Sequence, residues 1–313
     1  MERQSLLLVA PRQIEWRAEK LPQPGARDVL VQTIAGAVSI GTELPQYMGT
    51  ERLTVAHGYP RMTGYESLGV VVARGSDVRD LRIGERVVAF YGHRTHAIVA
   101  QERALRVPEG VSDALALLVI LTCDVAKGIR KLAPLPEEAV LVTGAGGIGL
   151  LTVWVLRAYG VRSVDVIEPR AERRRLALRL GARWAGGPGE QPPVSAYPVG
   201  IECSSRDAGF ALLQQSARAG GRICVLADGN VEPLQLAPYF HTKELSIVGS
   251  SDGWDYHQHA RWYFDVVREG APGLEALFEM DVAATDLPLT FERMARGEIS
   301  PTKVLVRYAK AQS

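Results

Sequence analysis

The segment from Leu141 to Gly149, Leu-Val-Thr-Gly-Ala-Gly-Gly-Ile-Gly, constrains the fold of this chain more than any other. Glycines in the spacing GxGxxG follow an apolar run and precede a helical pattern. Gly144 permits a tight turn, Gly146 lets the backbone approach an anion, and Gly149 lets helix and strand pack closely. The N-terminus of the helix also stabilises an anion, so the context predicts a pyrophosphate-binding turn, although the glycines could serve the turn alone. The predicted contacts are Gly144, Gly146, Gly147, Ile148 and Gly149.

Strand and helix patterns alternate around this turn. Short apolar runs predict strands, and amphipathic patterns predict helices. The strands are predicted at 139–143, 163–167, 199–203, 221–226 and 245–249, and the helices at 115–132, 148–159, 171–180, 210–219, 259–269 and 289–296. Units of this length indicate an α/β fold with a parallel, doubly wound sheet. Residues 187–198 are predicted to be a loop or a short irregular helix.

The part of the chain before residue 108 has a different pattern. Short β-rich runs are separated by Gly, Pro and charged turns, which indicates a small antiparallel, barrel-like domain. The runs lie at 5–9, 28–34, 67–73, 86–90 and 97–100. A closing strand is predicted at 303–308.

Composition narrows the classes of partner. The 313 residues fit two domains at roughly 100 to 200 residues each. Lys plus Arg number 36 and Asp plus Glu 35, so no net charge recruits nucleic acid or an anionic membrane. The three cysteines are far apart and unpaired in sequence, which indicates a reducing compartment. No signal peptide core or long apolar run is found, so a cytoplasmic protein with a small-molecule substrate is expected.

The residue after the second predicted strand indicates the cofactor. Glu168 follows the glycine turn at the distance where a carboxylate accepts hydrogen bonds from the adenosine ribose hydroxyls. Such a carboxylate would also repel a 2′-phosphate, so NAD is favoured over NADP. The nearby arginines, Arg173 in particular, could instead pair with that phosphate or form a solvated helix face. Those arginines are Arg170, Arg173, Arg174 and Arg175.

Several segments together resemble the medium-chain dehydrogenase/reductase superfamily, the zinc alcohol dehydrogenase and quinone reductase group. The matching segments are Ile40-Gly41-Thr42-Glu43, Gly64-Tyr65-Glu66-Ser67-Leu68-Gly69-Val70-Val71, Gly84-Glu85-Arg86-Val87, the glycine turn, Ile201-Glu202-Cys203-Ser204, Gly220-Gly221-Arg222 and Lys303-Val304-Leu305. The resemblance implies a GroES-like catalytic domain, built from residues 1–115 and 251–313, and a Rossmann domain, residues 116–250. It also implies an active site in the cleft between them and a homodimer.

The departures from this family concern its metal sites. Zinc-dependent members hold the catalytic ion at positions that correspond here to Ile40, Tyr65 and Ile120. Zinc prefers thiolate, imidazole or carboxylate donors, which isoleucine does not provide. The cysteines of the family's structural zinc lobe are also missing. His93 and His96 are close in sequence but make a poor site alone, so a surface turn or a substrate contact is expected for them. No zinc is expected.

The local pattern around Gly41-Thr42-Glu43 and Gly64-Tyr65-Glu66 looks like the zinc-lacking branch that includes bacteriochlorophyllide dehydrogenases. The resemblance places Thr42 at a proton-relay hydroxyl and Tyr65 at a position facing the substrate. We therefore expect these two side chains to donate a proton and to polarise the substrate. Alternatively, Tyr65 only fills the space of the lost zinc, and Thr42 only bonds its own backbone. Glu66 is expected to form structural hydrogen bonds.

Other side chains are expected to border the site on loops. The predicted substrate contacts are Glu43, Tyr47, His57, Tyr59 and His93. Cys203, Ser204 and Cys123 are expected beside the cofactor, although a small buried hydrophobic role is the default for such cysteines. Asp124 and Lys127 are expected near the nicotinamide or as a solvated helical pair.

These expectations give three functional hypotheses. The first is a zinc-independent NAD(P)(H) oxidoreductase that acts on an alcohol/carbonyl pair, or reduces an activated C=C or C=N bond such as an enone or iminium. The second is a dinucleotide-binding sensor or structural protein without turnover, since fold alone does not establish activity. The third is a zinc enzyme, which stoichiometric zinc in metal analysis would reveal.

Overall fold

The computed structural model describes residues 1–51, 58–192, 196–227 and 232–309. The chain forms two compact units. Unit 1 comprises residues 1–119, 260–268 and 278–313, and unit 2 comprises residues 120–259 and 269–277. The sequence predicts divisions after residues 115 and 250, whereas the chain passes from one unit to the other after residues 119, 259, 268 and 277.

The regular elements follow in chain order. The strands are β1 (Glu2–Ala10), β2 (Gln13–Lys20), β3 (Asp28–Val38), β4 (Arg61–Met62), β5 (Glu66–Arg74), β6 (Arg86–Ala89), β7 (His96–Ala100), β8 (Leu105–Arg106), β9 (Ala139–Thr143), β10 (Ser163–Ile167), β11 (Trp184–Gly186), β12 (Tyr197–Glu202), β13 (Ala217–Val225), β14 (Ser246–Gly249), β15 (Phe278–Ala283) and β16 (Lys303–Arg307). The α-helices are α1 (Ile40–Met48), α2 (Asp113–Leu117), α3 (Val119–Leu132), α4 (Gly147–Ala158), α5 (Ala171–Arg179), α6 (Asp207–Ser216), α7 (Tyr239–Thr242), α8 (Tyr256–Glu269) and α9 (Leu287–Ala295).

Unit 1 is mainly antiparallel. One sheet has the order β15-β16-β3-β5-β6-β8, with β7 also paired to β3, and a smaller sheet has the order β2-β1-β4. The last strand, β16, pairs antiparallel with β3, so both ends of the chain build this unit. One of its cores contains fully buried aliphatic side chains such as Val29, Val31 and Val87, whose burial stabilises the unit.

Unit 2 is a parallel sheet with the order β11-β10-β9-β12-β13-β14. The sequence order reverses between β9 and β12. In doubly wound sheets, ligands bind beyond the carboxyl ends of the two strands at such a reversal. Here those ends are Thr143, which precedes Gly144, and Glu202, which precedes Cys203. The fold therefore brings the glycine turn and the Cys203 segment together.

Some predicted elements are wrong in detail. The single helix predicted over 115–132 is two helices, α2 and α3, that meet at Leu118. The loop predicted over 187–198 is shortened, because β12 begins at Tyr197. Strand β2 and helix α1 were not predicted. Within the described part of the chain, no helix is long and apolar enough to span a membrane.

Candidate functional site

The first and third glycines of the turn are required by close packing. Gly144 has φ +84°, and a Cβ on it would lie 2.7 Å from the Cα of Ser204. A Cβ on Gly149 would lie 1.9 Å from the carbonyl oxygen of Gly144. Neither position accommodates a side chain. The turn therefore holds α4 against β9 and against the segment after β12.

The second glycine faces open space instead. A Cβ on Gly146 would meet no protein atom of the described residues within 4 Å. Gly146 is the N-cap of α4, and no described side chain caps its first backbone N–H groups. Gly147 and Ile148, which begin the helix, are partly exposed. The space and the donors fit the pyrophosphate of a dinucleotide.

The Glu168 carboxylate lies next to this turn. One oxygen accepts a hydrogen bond from the backbone N–H of Ala145 at 2.7 Å, and the other accepts from the backbone N–H of Arg170 at 2.9 Å. The side chain of Arg174 donates to the carbonyl oxygens of Glu168 and Pro169, at 2.8 Å each. Each carboxylate oxygen keeps lone pairs for a further donor, such as a ribose hydroxyl.

The segment after β12 is held by another buried carboxylate. Glu202 accepts hydrogen bonds from the backbone N–H and the hydroxyl of Ser204. Burial raises the pKa of Glu202, while these hydrogen bonds act in the opposite direction. The Cys203 thiol lies 3.6 Å from the Thr152 hydroxyl on α4, and burial raises its pKa. Cys203 thus packs inward, and Ser204 supports the turn.

Helix α3 contacts the segment that follows β14. The Cys123 thiol donates to the carbonyl oxygen of Trp254 at 3.1 Å, and burial raises its pKa to about 12. Lys127 donates to the carbonyl oxygen of Ser251 at 2.5 Å. Asp124 accepts from the Tyr256 hydroxyl at 2.7 Å. The segment beyond the carboxyl end of β14 is therefore fixed by α3 on the cofactor side of the sheet.

In unit 1, hydroxyl groups converge at the start of α1. The Tyr65 hydroxyl donates to the Ser39 hydroxyl at 2.5 Å and also hydrogen-bonds to Thr42. Burial raises the pKa of Tyr65 above its ordinary value of 10, and the carboxylate of Glu66 raises it further. Tyr65 is therefore a neutral phenol at physiological pH, able to donate a hydrogen bond but not to act as a base.

A buried carboxylate–imidazole pair, Glu43 and His93, lies next to these hydroxyl groups. Glu43 accepts the backbone N–H of Ser39 at 2.7 Å with one oxygen, and its other oxygen lies 3.0 Å from Nε2 of His93. The surface turn predicted for His93 is wrong, because its side chain is 1% exposed. His96 instead lies beside Thr95, with Nδ1 3.2 Å from that hydroxyl.

A fully buried ion pair connects strands β5 and β16. Lys303 Nζ donates to both carboxylate oxygens of Glu66, at 2.7 and 3.0 Å. Burial raises the pKa of Glu66, and the ammonium group of Lys303 acts against that rise. The structural hydrogen-bonding role expected for Glu66 is therefore seen.

The comparisons with known proteins agree with this architecture. Residues 25–111 match the family model "Alcohol dehydrogenase GroES-like domain". L-Threonine 3-dehydrogenase of Pectobacterium atrosepticum is 25% identical over 263 residues, which cover 71% of this chain and 72% of that enzyme. These similarities support the resemblance to the medium-chain dehydrogenase/reductase superfamily. The matched residues 25–111 lie in unit 1, and the parallel, doubly wound sheet of unit 2 has the Rossmann arrangement.

Two further proteins are similar to this chain. The starvation-sensing protein RspB of Escherichia coli K12 is 30% identical over 212 residues, which cover 58% of this chain and 61% of that protein. The crystal structure of an alcohol dehydrogenase (rspB) from E. coli CFT073, complexed with NADH, superposes with a TM-score of 0.84. It covers 98% of this chain and 99% of that chain at 23% identity, which shows a common fold.

The side chains at the expected zinc positions do not fit a catalytic zinc ion. The resemblance assigns these positions to Ile40, Tyr65 and Ile120. Isoleucine has no donor atom, and a neutral phenol is not among the usual zinc ligands. Among the described residues, no group of three or more His, Cys, Asp or Glu side chains could hold a metal ion.

The other residues predicted to contact the substrate do not all lie on loops. Glu43 and Tyr47 lie on helix α1 rather than on a loop. The Tyr47 ring packs against Phe291, with centroids 5.4 Å apart, and its hydroxyl donates to the carbonyl oxygen of Arg12. Tyr59 is 41% exposed beside Arg61. His57 lies outside the described residues. Substrate contact by these residues stays a prediction.

The contacts of Ser39 and Lys303 were not predicted from the sequence. Ser39 directly precedes the Ile40-Gly41-Thr42-Glu43 segment, where a serine before a helix is a typical N-cap signal. Lys303 begins a strand whose next three residues are apolar, and a buried lysine there requires a carboxylate partner. Both signals were present in the sequence.

Proposed function

We propose that this protein is a zinc-independent oxidoreductase that transfers hydride between NAD(H) or NADP(H) and a small organic substrate. The observation that carries the proposal is the glycine turn, in which Gly144 and Gly149 are closed by packing while Gly146 faces open space. A turn that served packing alone would have no need of a glycine at that open position. Similarity to the alcohol dehydrogenase GroES-like domain and to L-threonine 3-dehydrogenase supports the same chemistry.

NAD(H) is the favoured cofactor in this proposal. The turn and the N-terminus of α4 would hold the pyrophosphate, and Glu168 would accept hydrogen bonds from the adenosine ribose. The Glu168 carboxylate is already oriented by the backbone N–H groups of Ala145 and Arg170. The cofactor supplies the hydride chemistry when bound. The alternative is NADP(H), with Arg173 as the phosphate contact on α5.

The chain's own contribution is to orient the substrate and to handle a proton. Tyr65 is a neutral donor because burial raises its pKa, so its hydroxyl can polarise a carbonyl oxygen. Thr42 bonds to the same hydroxyl and can relay a proton to or from it. This arrangement suits reduction of a carbonyl or of an already electrophilic enone or iminium, which needs less polarisation than zinc provides.

We also propose a homodimer formed through the exposed edge of the unit 2 sheet. Strand β14 is the last strand of that sheet, and it pairs on one side with β13. Nearby in sequence, Leu236, Tyr239 and Phe240 expose large apolar side chains. Sedimentation velocity would test the assembly, and a monomer at micromolar concentration would contradict it.

The functional proposal is tested with purified protein and NADH or NADPH. Binding is measured by cofactor fluorescence. Turnover is measured by nicotinamide absorbance, with NADH or NADPH for reduction of 2,3-butanedione, benzaldehyde, trans-2-hexenal and 1-pyrroline, and with NAD⁺ or NADP⁺ for oxidation of L-threonine. We expect tighter binding of NADH, turnover of at least one compound, and substoichiometric zinc by elemental analysis. Binding without any turnover would favour a non-catalytic dinucleotide-binding protein. Stoichiometric zinc would overturn the metal-free chemistry.

A further inference from the structure

Ser39 is a buried serine at the start of α1 whose side chain does not cap the helix. Its backbone (φ −88°, ψ 86°) occupies the N-cap position. Serine at this position ordinarily accepts a hydrogen bond from a backbone N–H in the first turn. Within the described residues, the Ser39 side chain makes no such bond. Its hydroxyl therefore has another use.

That use is a contact with Tyr65. The two hydroxyl oxygens are 2.5 Å apart, and Ser39 is 8% exposed, so water has little access to compete for the bond. A hydroxyl can donate one hydrogen bond and accept others. When Tyr65 donates to a substrate oxygen, Ser39 can donate to Tyr65 without movement of either oxygen atom. A chain of hydrogen bonds in this direction strengthens the final donor.

The backbone of Ser39 is fixed from both sides. Its N–H donates to the Glu43 carboxylate at 2.7 Å, and its carbonyl oxygen accepts from the backbone N–H groups of Thr42 and Glu43, at 3.0 and 2.8 Å. Glu43 is in turn held by His93 at 3.0 Å. The Ser39 hydroxyl is thus attached to a rigid support.

We infer that Ser39 is a positioning residue for the reaction, which holds the Tyr65 hydroxyl in place and sustains it as a hydrogen-bond donor to the substrate. The inference rests on the proposed function, in which Tyr65 contacts the substrate. Ser39 itself acts through Tyr65 and touches no reacting atom. The Glu43–His93 pair supports Ser39 in this arrangement.

A double-mutant cycle tests the inference, with the fastest compound of the panel above as substrate. Ser39→Ala is expected to lower kcat about tenfold with little change in KM, the effect of one lost hydrogen bond. Tyr65→Phe is expected to lower kcat more. The double variant is expected to equal Tyr65→Phe, because Ser39 has no other route of action.

The outcomes separate the two proposals. An equal loss from Ser39→Ala in the wild-type and Tyr65→Phe backgrounds would overturn the positioning role. Unchanged kcat in Tyr65→Phe would overturn the role of Tyr65 in the proposed function instead. A crystal structure of the Ser39→Ala variant tests the placement without turnover. We expect the Tyr65 hydroxyl to move, and an unmoved hydroxyl would contradict the inference.

Discussion

The Glu43 carboxylate and the His93 imidazole meet at 3.0 Å in the interior of unit 1, where their side chains are 3% and 1% exposed. The imidazole fits only because its neighbour lacks a side chain. A Cβ on Gly64 would lie 2.6 to 2.9 Å from its ring atoms. The pair thus links α1, which carries Thr42, to the segment that carries Tyr65.

Removal of this imidazole is expected to destabilise the protein strongly. His93→Ala leaves a cavity and a buried carboxylate with one partner fewer, which together cost about 2–4 kcal/mol of unfolding free energy. Urea denaturation measures the loss. The control is Arg17→Ala at the exposed Arg17–Glu15 pair, where a loss below about 1 kcal/mol is expected. Equal losses in the two variants would show that the buried contact is not important for stability.

The glycine turn allows stability and cofactor binding to be separated. A methyl group on Gly149 would collide with the Gly144 carbonyl oxygen. Gly149→Ala is therefore expected to lower the unfolding free energy by about 3 kcal/mol or more. Gly146 has extended backbone (φ −74°, ψ −171°), which alanine also adopts. The unfolding free energy of Gly146→Ala should therefore lie within about 0.5 kcal/mol of the wild-type value.

The same Gly146→Ala variant should bind NADH at least about tenfold more weakly, because the methyl group occupies the space of the pyrophosphate and breaks its close contact. Fluorescence titration measures the affinity. Wild-type affinity in a stably folded Gly146→Ala variant would contradict the proposed cradle.

The elements around the turn were predictable because their signals are local. Strands β9 and β10 have the predicted bounds, since each is a short apolar run between turn signals. Strand β2 also alternates, with Ile14, Trp16 and Ala18 on one face, and this pattern was available in the sequence.

Helix α1 was missed for a physical reason. Its segment contains Gly41 and Pro45, which disfavour a helix interior. Burial of Tyr47 and packing of Leu44 against the core outweigh that preference. The site contacts were harder still to predict. Glu66 and Lys303 are 237 residues apart, and Glu43 and His93 are 50 apart, so no local pattern indicates either pair.

The Glu66–Lys303 pair predicts a pH dependence when its cation is removed. In Lys303→Met the opposing charge is lost, so the pKa of Glu66 rises further above its ordinary value of 4.5. A carboxyl with a raised folded pKa loses stability as pH increases from the unfolded value through the folded value. The unfolding free energy of Lys303→Met is expected to fall below that of the wild type by about 3–5 kcal/mol near pH 8, and by less near pH 5.

Urea denaturation at both pH values measures this Lys303→Met deficit. Glu66→Gln/Lys303→Met is the matched control, because it removes the carboxylate as well and should abolish the difference between the two pH values. A deficit that is independent of pH in the single variant would show that Glu66 does not titrate in this range.

His259 predicts a pH dependence of opposite sign in unit 2. It is fully buried, with Nε2 3.0 Å from the Thr122 hydroxyl, and burial lowers its pKa from 6.5 to about 3. Because the folded pKa is depressed, the stabilisation is complete above 6.5 and is lost as pH falls toward 3. At 1.36 kcal/mol per pH unit, the stabilisation lost by pH 5 is about 2 kcal/mol.

The variant His259→Gln tests this dependence, because it keeps a group able to bond Thr122 but does not titrate. Between pH 7 and pH 5, the unfolding free energy of the variant should fall by about 2 kcal/mol less than that of the wild type. Urea denaturation across that range gives the comparison. Parallel stability curves would mean that His259 accepts a proton in the folded protein without cost, and that its burial does not hold it neutral.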